Sequence, residues 1–252
     1  MQNMKIGFIG LMEDDSPQNF WDVMQHVATL GYEGCESAED LLKGDVVANL
    51  QRFHNLGLQV ITVSTSTKQL RDDVDAVIAK AHVLQAPHAS IWWSACASRE
   101  EIRRDADIFN RAGKKLAAAG ITLCYHNHEH EFRHRFNGLY ALDLLAEYTD
   151  PQALSFEIDI AWVTYGGEDP VNVLNKYAGR VAAIHVKDLF CLDARGQFTA
   201  TGTGIVRVRE SVRTAIDTGV AWAVIEQDSL RNLSAQETLT LSYLYLKEAG
   251  LV

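Results

Sequence analysis

Short apolar runs recur along the chain. Between them lie longer segments whose apolar residues are spaced by three and four. The runs cover residues 5–9, 32–36, 58–63, 89–93, 121–126, 154–159, 181–186 and 221–226. They read as strands with both faces buried, because they are apolar throughout rather than alternating. Amphipathic helices are expected over 17–30, 38–56, 68–84, 99–119, 139–148, 170–177, 206–218 and 234–249. Local chemistry supports several ends. Ser16 precedes Pro17 as an N-cap before a first-turn proline, Gly31 follows as a stop, and Ser234 with Glu237 forms a capping box.

Strictly alternating β and α units imply a parallel sheet. Eight such units in 252 residues predict a closed (β/α)8 TIM barrel, one domain over 1–252. The rival is an open doubly wound sheet. It usually carries a G-x-G-x-x-G turn after the first strand, and Gly7 and Gly10 lead instead into Glu13-Asp14-Asp15.

Barrel sites lie at the C-terminal ends of the strands, and side chains alternate along each strand. On the fifth strand Thr122, Cys124 and His126 share a face, and on the sixth Ser155, Glu157 and Asp159 do. His185 shares a face with Val181, Ala183 and Lys187. Glu226 shares one with Trp222, Val224 and Asp228. The polar-bearing faces are expected to point inward, so four successive strands end in His126, Asp159, His185 and Glu226. Two imidazoles and two carboxylates suit a divalent ion such as Mn, Zn, Fe or Mg. Glu157, one inward step deeper than Asp159, is expected behind the ligands.

Composition narrows the alternatives. The net charge of −10 opposes a nucleic-acid footprint, which needs a basic face. No apolar run is long enough to span a membrane or to form a signal segment, and four scattered cysteines lack C-x-x-C spacing, so a cytoplasmic protein is expected. A homo-oligomer is compatible with all of this.

The motifs that carry a resemblance lie on these strands. They are Tyr125-His126-Asn127-His128-Glu129-His130-Glu131-Phe132, Glu157-Ile158-Asp159-Ile160-Ala161-Trp162-Val163, Gly167-Glu168-Asp169-Pro170, the run from Gly179 to Asp188, Gly202-Thr203-Gly204-Ile205 and Ile225-Glu226-Gln227-Asp228. With Gly31-Tyr32-Glu33-Gly34-Cys35-Glu36, they resemble the sugar phosphate isomerase/epimerase family with a xylose isomerase-like barrel, in the subgroup with a YHNH-type fifth strand. The resemblance implies a metal held by a glutamate, an aspartate, a histidine and a second glutamate. Asp159, His185 and Glu226 match the last three, and His126 replaces the first. Trp162 stands where the wider family often has a histidine. The epimerases' pair of proton-transferring glutamates is reduced here to Glu226.

The resemblance thus implies a metal-dependent isomerase or epimerase that takes a proton from a carbon beside a carbonyl of a sugar, keto-sugar or sugar phosphate. The alternative is a metal-dependent lyase on a keto-inositol or keto-glycoside, because the YHNH strand also looks like that of 2-keto-inositol dehydratases. A non-catalytic sugar-binding barrel and an abasic-site endonuclease are further readings. Glu226 is the expected base, with His128 or His126 as partner acid and Lys187 holding a hydroxyl or phosphate. Glu36, Trp162 and Asp228 are expected to contact a sugar or polyol. Trp92 and Trp93 straddle two faces, so at most one is expected to enter the site and packing is the favoured role, and His130 and His134 are expected in a solvated loop. Gly202 and Gly204 form either a turn or a phosphate cradle at a helix start.

Overall fold

A computed structural model describes residues 4–12 and 16–252; Glu13, Asp14 and Asp15 lie outside the described residues. Nine parallel strands form a nearly closed barrel. In chain order they are β1 (Lys5–Ile9), β2 (Gly34–Cys35), β3 (Gln59–Val60), β4 (Thr62–Thr65), β5 (His88–Ile91), β6 (Thr122–His126), β7 (Ser155–Asp159), β8 (Val181–Val186) and β9 (Trp222–Glu226). Their spatial order is β3-β2-β1-β9-β8-β7-β6-β5-β4. The two ends of this list are halves of the single third strand expected from the sequence. Ile61 joins them: its N–H donates to the Cys35 carbonyl at 2.9 Å, while β4 pairs with β5. The ring therefore closes through one residue.

Alternation along the strands sorts the core into two compartments. Inside the barrel, Ile61, Ala183, Trp222 and Val224 are buried together with Ile9 against them. Outside, Tyr125, Phe156, Ile158, Ile184 and Ile225 join the large core shared with the helices. Gly7 and Gly34 make the inner plug possible. A Cβ at Gly7 would stand 2.2 Å from Ile61 Cδ1, and one at Gly34 would stand 2.7 Å from Ile61 Cγ1. The plug fills the floor, so the barrel's own cavity opens at the C-terminal mouth.

The helix Pro17–Leu30 runs as expected, with the Ser16 hydroxyl accepting from the Asn19 N–H and Gly31 in the left-handed region. Two expected helices are broken. The segment 38–56 divides into a 3₁₀ turn at Glu39–Leu42 and a helix at Val46–Asn55, and 68–84 divides into Thr67–Asp72 and Val74–Leu84. The reason is a cap inside each run: Asp45 accepts from the Ala48 N–H and Asp73 from the Ala76 N–H. Apolar spacing continues across such a break, so periodicity cannot register it. Among the described residues no helix is long and apolar enough to cross a membrane.

Candidate active site

β6 and the turn after it supply the histidine-rich stretch, and Tyr125-His126-Asn127-His128 divides between the outer core, the neighbouring strand and the cavity. Tyr125 points into the outer core, where its hydroxyl donates to Glu131 Oε1 at 2.7 Å. His126 points into the barrel. Asn127 crosses to β7: its Oδ1 accepts from the Asp159 N–H at 3.0 Å and its amide donates to the Asp159 carbonyl at 3.4 Å. His128 lines the cavity, and its backbone N–H donates to Glu131 Oε2 at 2.9 Å. Glu131, fully buried, therefore ties the outward and the cavity-facing residues of this motif together.

Asp159 divides its carboxylate between two tasks. Oδ1 accepts from the Ala161 and Trp162 N–H groups at 2.9 and 2.8 Å and so caps the short helix Ile160–Tyr165. Oδ2 is buried and accepts no hydrogen bond, although the Lys187 ammonium stands 3.2 Å away. His126 Nε2 lies 3.9 Å from that oxygen, and its own Nδ1 is likewise buried without a hydrogen bond. Across the cavity His185 Nδ1 shares a 2.6 Å hydrogen bond with Glu226 Oε2.

One donor atom from each of His126, Asp159, His185 and Glu226 can be chosen so that all lie within 4.8 Å of one another. The orphaned Asp159 Oδ2 and this mixed nitrogen and oxygen set fit a divalent cation. Two further groupings of ligand-type side chains occur among the described residues. Cys96, His130 and Glu131 approach one another, but Glu131 is engaged by Tyr125 and His128, and His130 Nε2 by the Ser94 carbonyl at 2.8 Å. Glu36, Glu157 and His185 form the third, at the floor of the main site.

That floor sets the electrostatics. His185 Nε2 lies 3.0 Å from Glu36 Oε2 and 3.5 Å from Glu157 Oε2; Thr62 donates to Glu36 and Ser90 donates to Glu157. Burial disfavours the His185 cation, yet Glu157, Glu36 and Glu226 outweigh it and push its pKa well up. Burial, then repulsion by Glu157, raises Glu36 to about 7. Burial, then the neighbouring His185, holds His126 well down. Burial, then Lys187, takes His128 down to about 3, so it is a neutral imidazole. Burial opposes the charge of Glu226, but Lys187 and His185 keep its pKa low.

Lys187 is fully buried and bridges carboxylates, standing 2.6 Å from Asp228, 2.9 Å from Glu226 and 3.2 Å from Asp159. It is a fixed positive strut between β7, β8 and β9. Glu36 and Asp228 both line the cavity, of about 320 Å³. Trp162 is 1% exposed and packs behind His128, ring centroids 5.4 Å apart, under the guanidinium of Arg195. It buttresses the site rather than presenting a face to it.

Three further expectations need correction. Trp92 and Trp93 do not pack away; they are 57% and 45% exposed, and Trp92 lines the cavity. His130 and His134 are not solvated loop groups; they bond the Ser94 and Cys96 carbonyls. Of the two readings for Gly202 and Gly204 the turn holds: the Asp188 carboxylate accepts from the Gly202, Gly204 and Val206 N–H groups at 2.9, 2.9 and 3.0 Å and leaves no phosphate cradle. His128, held neutral, carries no proton to donate as an acid in the resting site. Sequence reasoning missed Ser90 and Arg195. Ser90 could have been found by the parity rule on β5; Arg195, which pairs with Glu129 at 2.7 Å, lies in a loop with no pattern.

A parallel barrel that gathers two imidazoles and two carboxylates at its mouth has the architecture of a barrel enzyme. The profile of the xylose isomerase-like TIM barrel family matches residues 24–244, and the chain belongs to that family. It is 24% identical to an inosose dehydratase of Klebsiella pneumoniae over 90% of each chain. A match to the Clostridium beijerinckii inosose dehydratase, 25% identical, covers 64% of this chain and spans about half (54%) of that enzyme. Among solved structures, a sugar phosphate isomerase/epimerase of Parabacteroides distasonis superimposes with a TM-score of 0.84 at 21% identity, covering 100% of this chain and 96% of that one. The IolI protein with a bound zinc atom superimposes with a TM-score of 0.76 at 11% identity over 98% of each chain.

Proposed function

We propose that the chain is a metal-dependent lyase of the dehydratase type, acting on a cyclic keto-polyol or keto-sugar. The observation that carries this reading is the donor set itself, with Asp159 Oδ2 accepting no hydrogen bond and Glu226 the most exposed of the four side chains. His126, Asp159, His185 and Glu226 would hold the ion. Once bound, the ion would act as a Lewis acid, polarising the carbonyl and favouring the enolate. The dehydratase names of the curated relatives and the zinc in a structural neighbour support the same reading.

Glu226 takes the proton from the carbon beside the carbonyl. It is the ligand with the most exposed side chain, and Lys187 and His185 keep it ionised and ready to accept. The C–H electrons form the new double bond as the β C–O bond breaks. The proton on Glu226 then passes to the departing hydroxyl, which leaves as water, so one carboxyl serves both ends of a syn elimination. His128, neutral at the rim, accepts a hydrogen bond from a substrate hydroxyl. Asp228, fixed by Lys187, takes another.

Epimerisation needs a second proton carrier on the opposite face of the carbon. The wider family's glutamate there is replaced by His126, a buried imidazole whose pKa burial holds well down. That favours elimination over the isomerase or epimerase reading. Incubation of Mn²⁺-loaded protein with a keto-inositol tests this: loss of one water in the mass spectrum is the expected result. A changed configuration at conserved mass would restore the epimerase reading.

A further inference from the structure

Trp92 has two sides. One lines the central cavity of about 320 Å³, and the other lines an adjoining groove of about 560 Å³. Thr65 to Lys68, Arg71 and Trp92 to Ala95 supply much of that groove's lining. Two adjacent indoles, 57% and 45% exposed, thus stand in water at the end of β5. Paired large apolar side chains in solvent beside a binding cavity mark a surface that something covers.

The loop that carries them is firmly built. Ser94 donates to the buried Asp105 at 2.8 Å, its carbonyl is bonded by His130, and the Cys96 carbonyl is bonded by His134 at 3.0 Å. Cys96 itself sits in the left-handed region at φ 49°, a conformation a non-glycine residue holds only where its surroundings impose it. Trp93 lies against His130, ring centroids 4.4 Å apart. The histidine-rich stretch therefore fixes the tryptophan platform as well as the cavity wall.

Charge narrows the occupant. Each cation of the groove already has an acidic partner: Lys68 and Arg71 pair with Asp72 at 2.8 and 2.7 Å, and Arg104 lies 3.3 Å from Glu101 and 3.4 Å from Asp105. Thr67 offers a buried hydroxyl oxygen with no hydrogen-bond partner among the described residues. Flat indoles, neutralised cations and an unpaired hydroxyl suit a neutral ring with polar substituents, not a phosphate.

We propose that this groove is a second subsite, which receives a neutral ring (an aryl group or a second sugar) joined to the keto-ring that reacts in the central cavity. The inference rests on the reading of that cavity as a keto-polyol site. The substrate class is then a substituted keto-sugar, and a lone six-membered ring fills only the inner half of the site.

Calorimetry on the Mn²⁺-loaded protein tests this with two probes, 3-keto-glucose and its phenyl β-glycoside, alongside turnover of both. The glycoside is expected to bind about tenfold tighter, the worth of one stacked aromatic pair. Trp93→Ala, and Ala95→Arg placed to fill the groove, should each bring the affinity ratio toward one, and Trp93→Phe should keep most of it. Equal affinities in the native protein overturn the subsite and leave the lyase reading intact. Preferential binding of the glycoside with no turnover of either probe upholds the subsite and overturns the lyase reading. Binding of neither overturns both.

Discussion

Asp159 shows how one residue can serve structure and chemistry together. Its Oδ1 caps a helix while Oδ2, 3.2 Å from the Lys187 ammonium, accepts no hydrogen bond. Asp159→Asn keeps a capping oxygen but loses the anionic ligand, so divalent-ion affinity should fall by more than tenfold while the fold survives; ion titration by calorimetry and circular dichroism read the two effects separately. Glu157 stands behind His185 and Ser90. Groups that orient a metal-binding imidazole typically contribute 10- to 100-fold in affinity, so Glu157→Gln should weaken ion binding by about that factor. Glu226→Gln should lower turnover by about 10²–10⁴ if Glu226 moves the proton. A rate within a few-fold of native would remove it from that role.

The element that organises the mouth is the turn after β6, and Glu131 is its anchor. Burial raises the Glu131 carboxyl to about 8, against the hydrogen bonds from Tyr125 and His128. The folded pKa thus exceeds the unfolded value, so between about pH 4.5 and 8 the folded state holds a proton that the unfolded state has lost. This group's contribution is full below the unfolded pKa and declines as pH rises toward 8, by on the order of 1 kcal/mol per pH unit. Glu131→Gln removes that decline, and denaturant unfolding of the two proteins from pH 5 to 8 should show the variant gaining relative stability. An unchanged difference across the range would place the carboxyl in its ordinary ionised state. At the opposite end of the barrel, Gly34→Ala drives a methyl into Ile61 and the Gln59 carbonyl. It should cost about 1–3 kcal/mol, little of it restored by Ile61→Val, because valine keeps the Cγ1 that the new methyl meets.

Over the whole molecule, the barrel and the ends of its last four strands were legible because strand parity is a strict period. Once the strand ends are known, His126, Asp159, His185 and Glu226 must converge. Less legible were contacts made across loops. Asp188 occupying the Gly202–Gly204 turn, His130 and His134 clamping the Ser94–Cys96 loop, and Arg195 over Trp162 all depend on chain segments distant in sequence and without periodicity. Exposure of Trp92 and Trp93 was hidden for a related reason. β5 ends at Ile91, two residues short of the expected boundary at 93, which puts both indoles beyond the packed layer. A ligand that binds only the folded chain stabilises it by mass action, about 2.7 kcal/mol at a hundredfold excess over Kd. Thermal unfolding with and without Mn²⁺ or Zn²⁺ should therefore show a concentration-dependent rise that Asp159→Asn abolishes.

The central claim is that one divalent ion sits where β6, β7, β8 and β9 end. Anomalous diffraction from crystals grown with Mn²⁺ or Zn²⁺ tests it most directly. The account predicts a single strong peak within about 2.0–2.3 Å of one donor atom from each of His126, Asp159, His185 and Glu226. A peak among Glu36, Glu157 and His185 alone, or beside Cys96, His130 and Glu131, with none at the four-strand position, would contradict it.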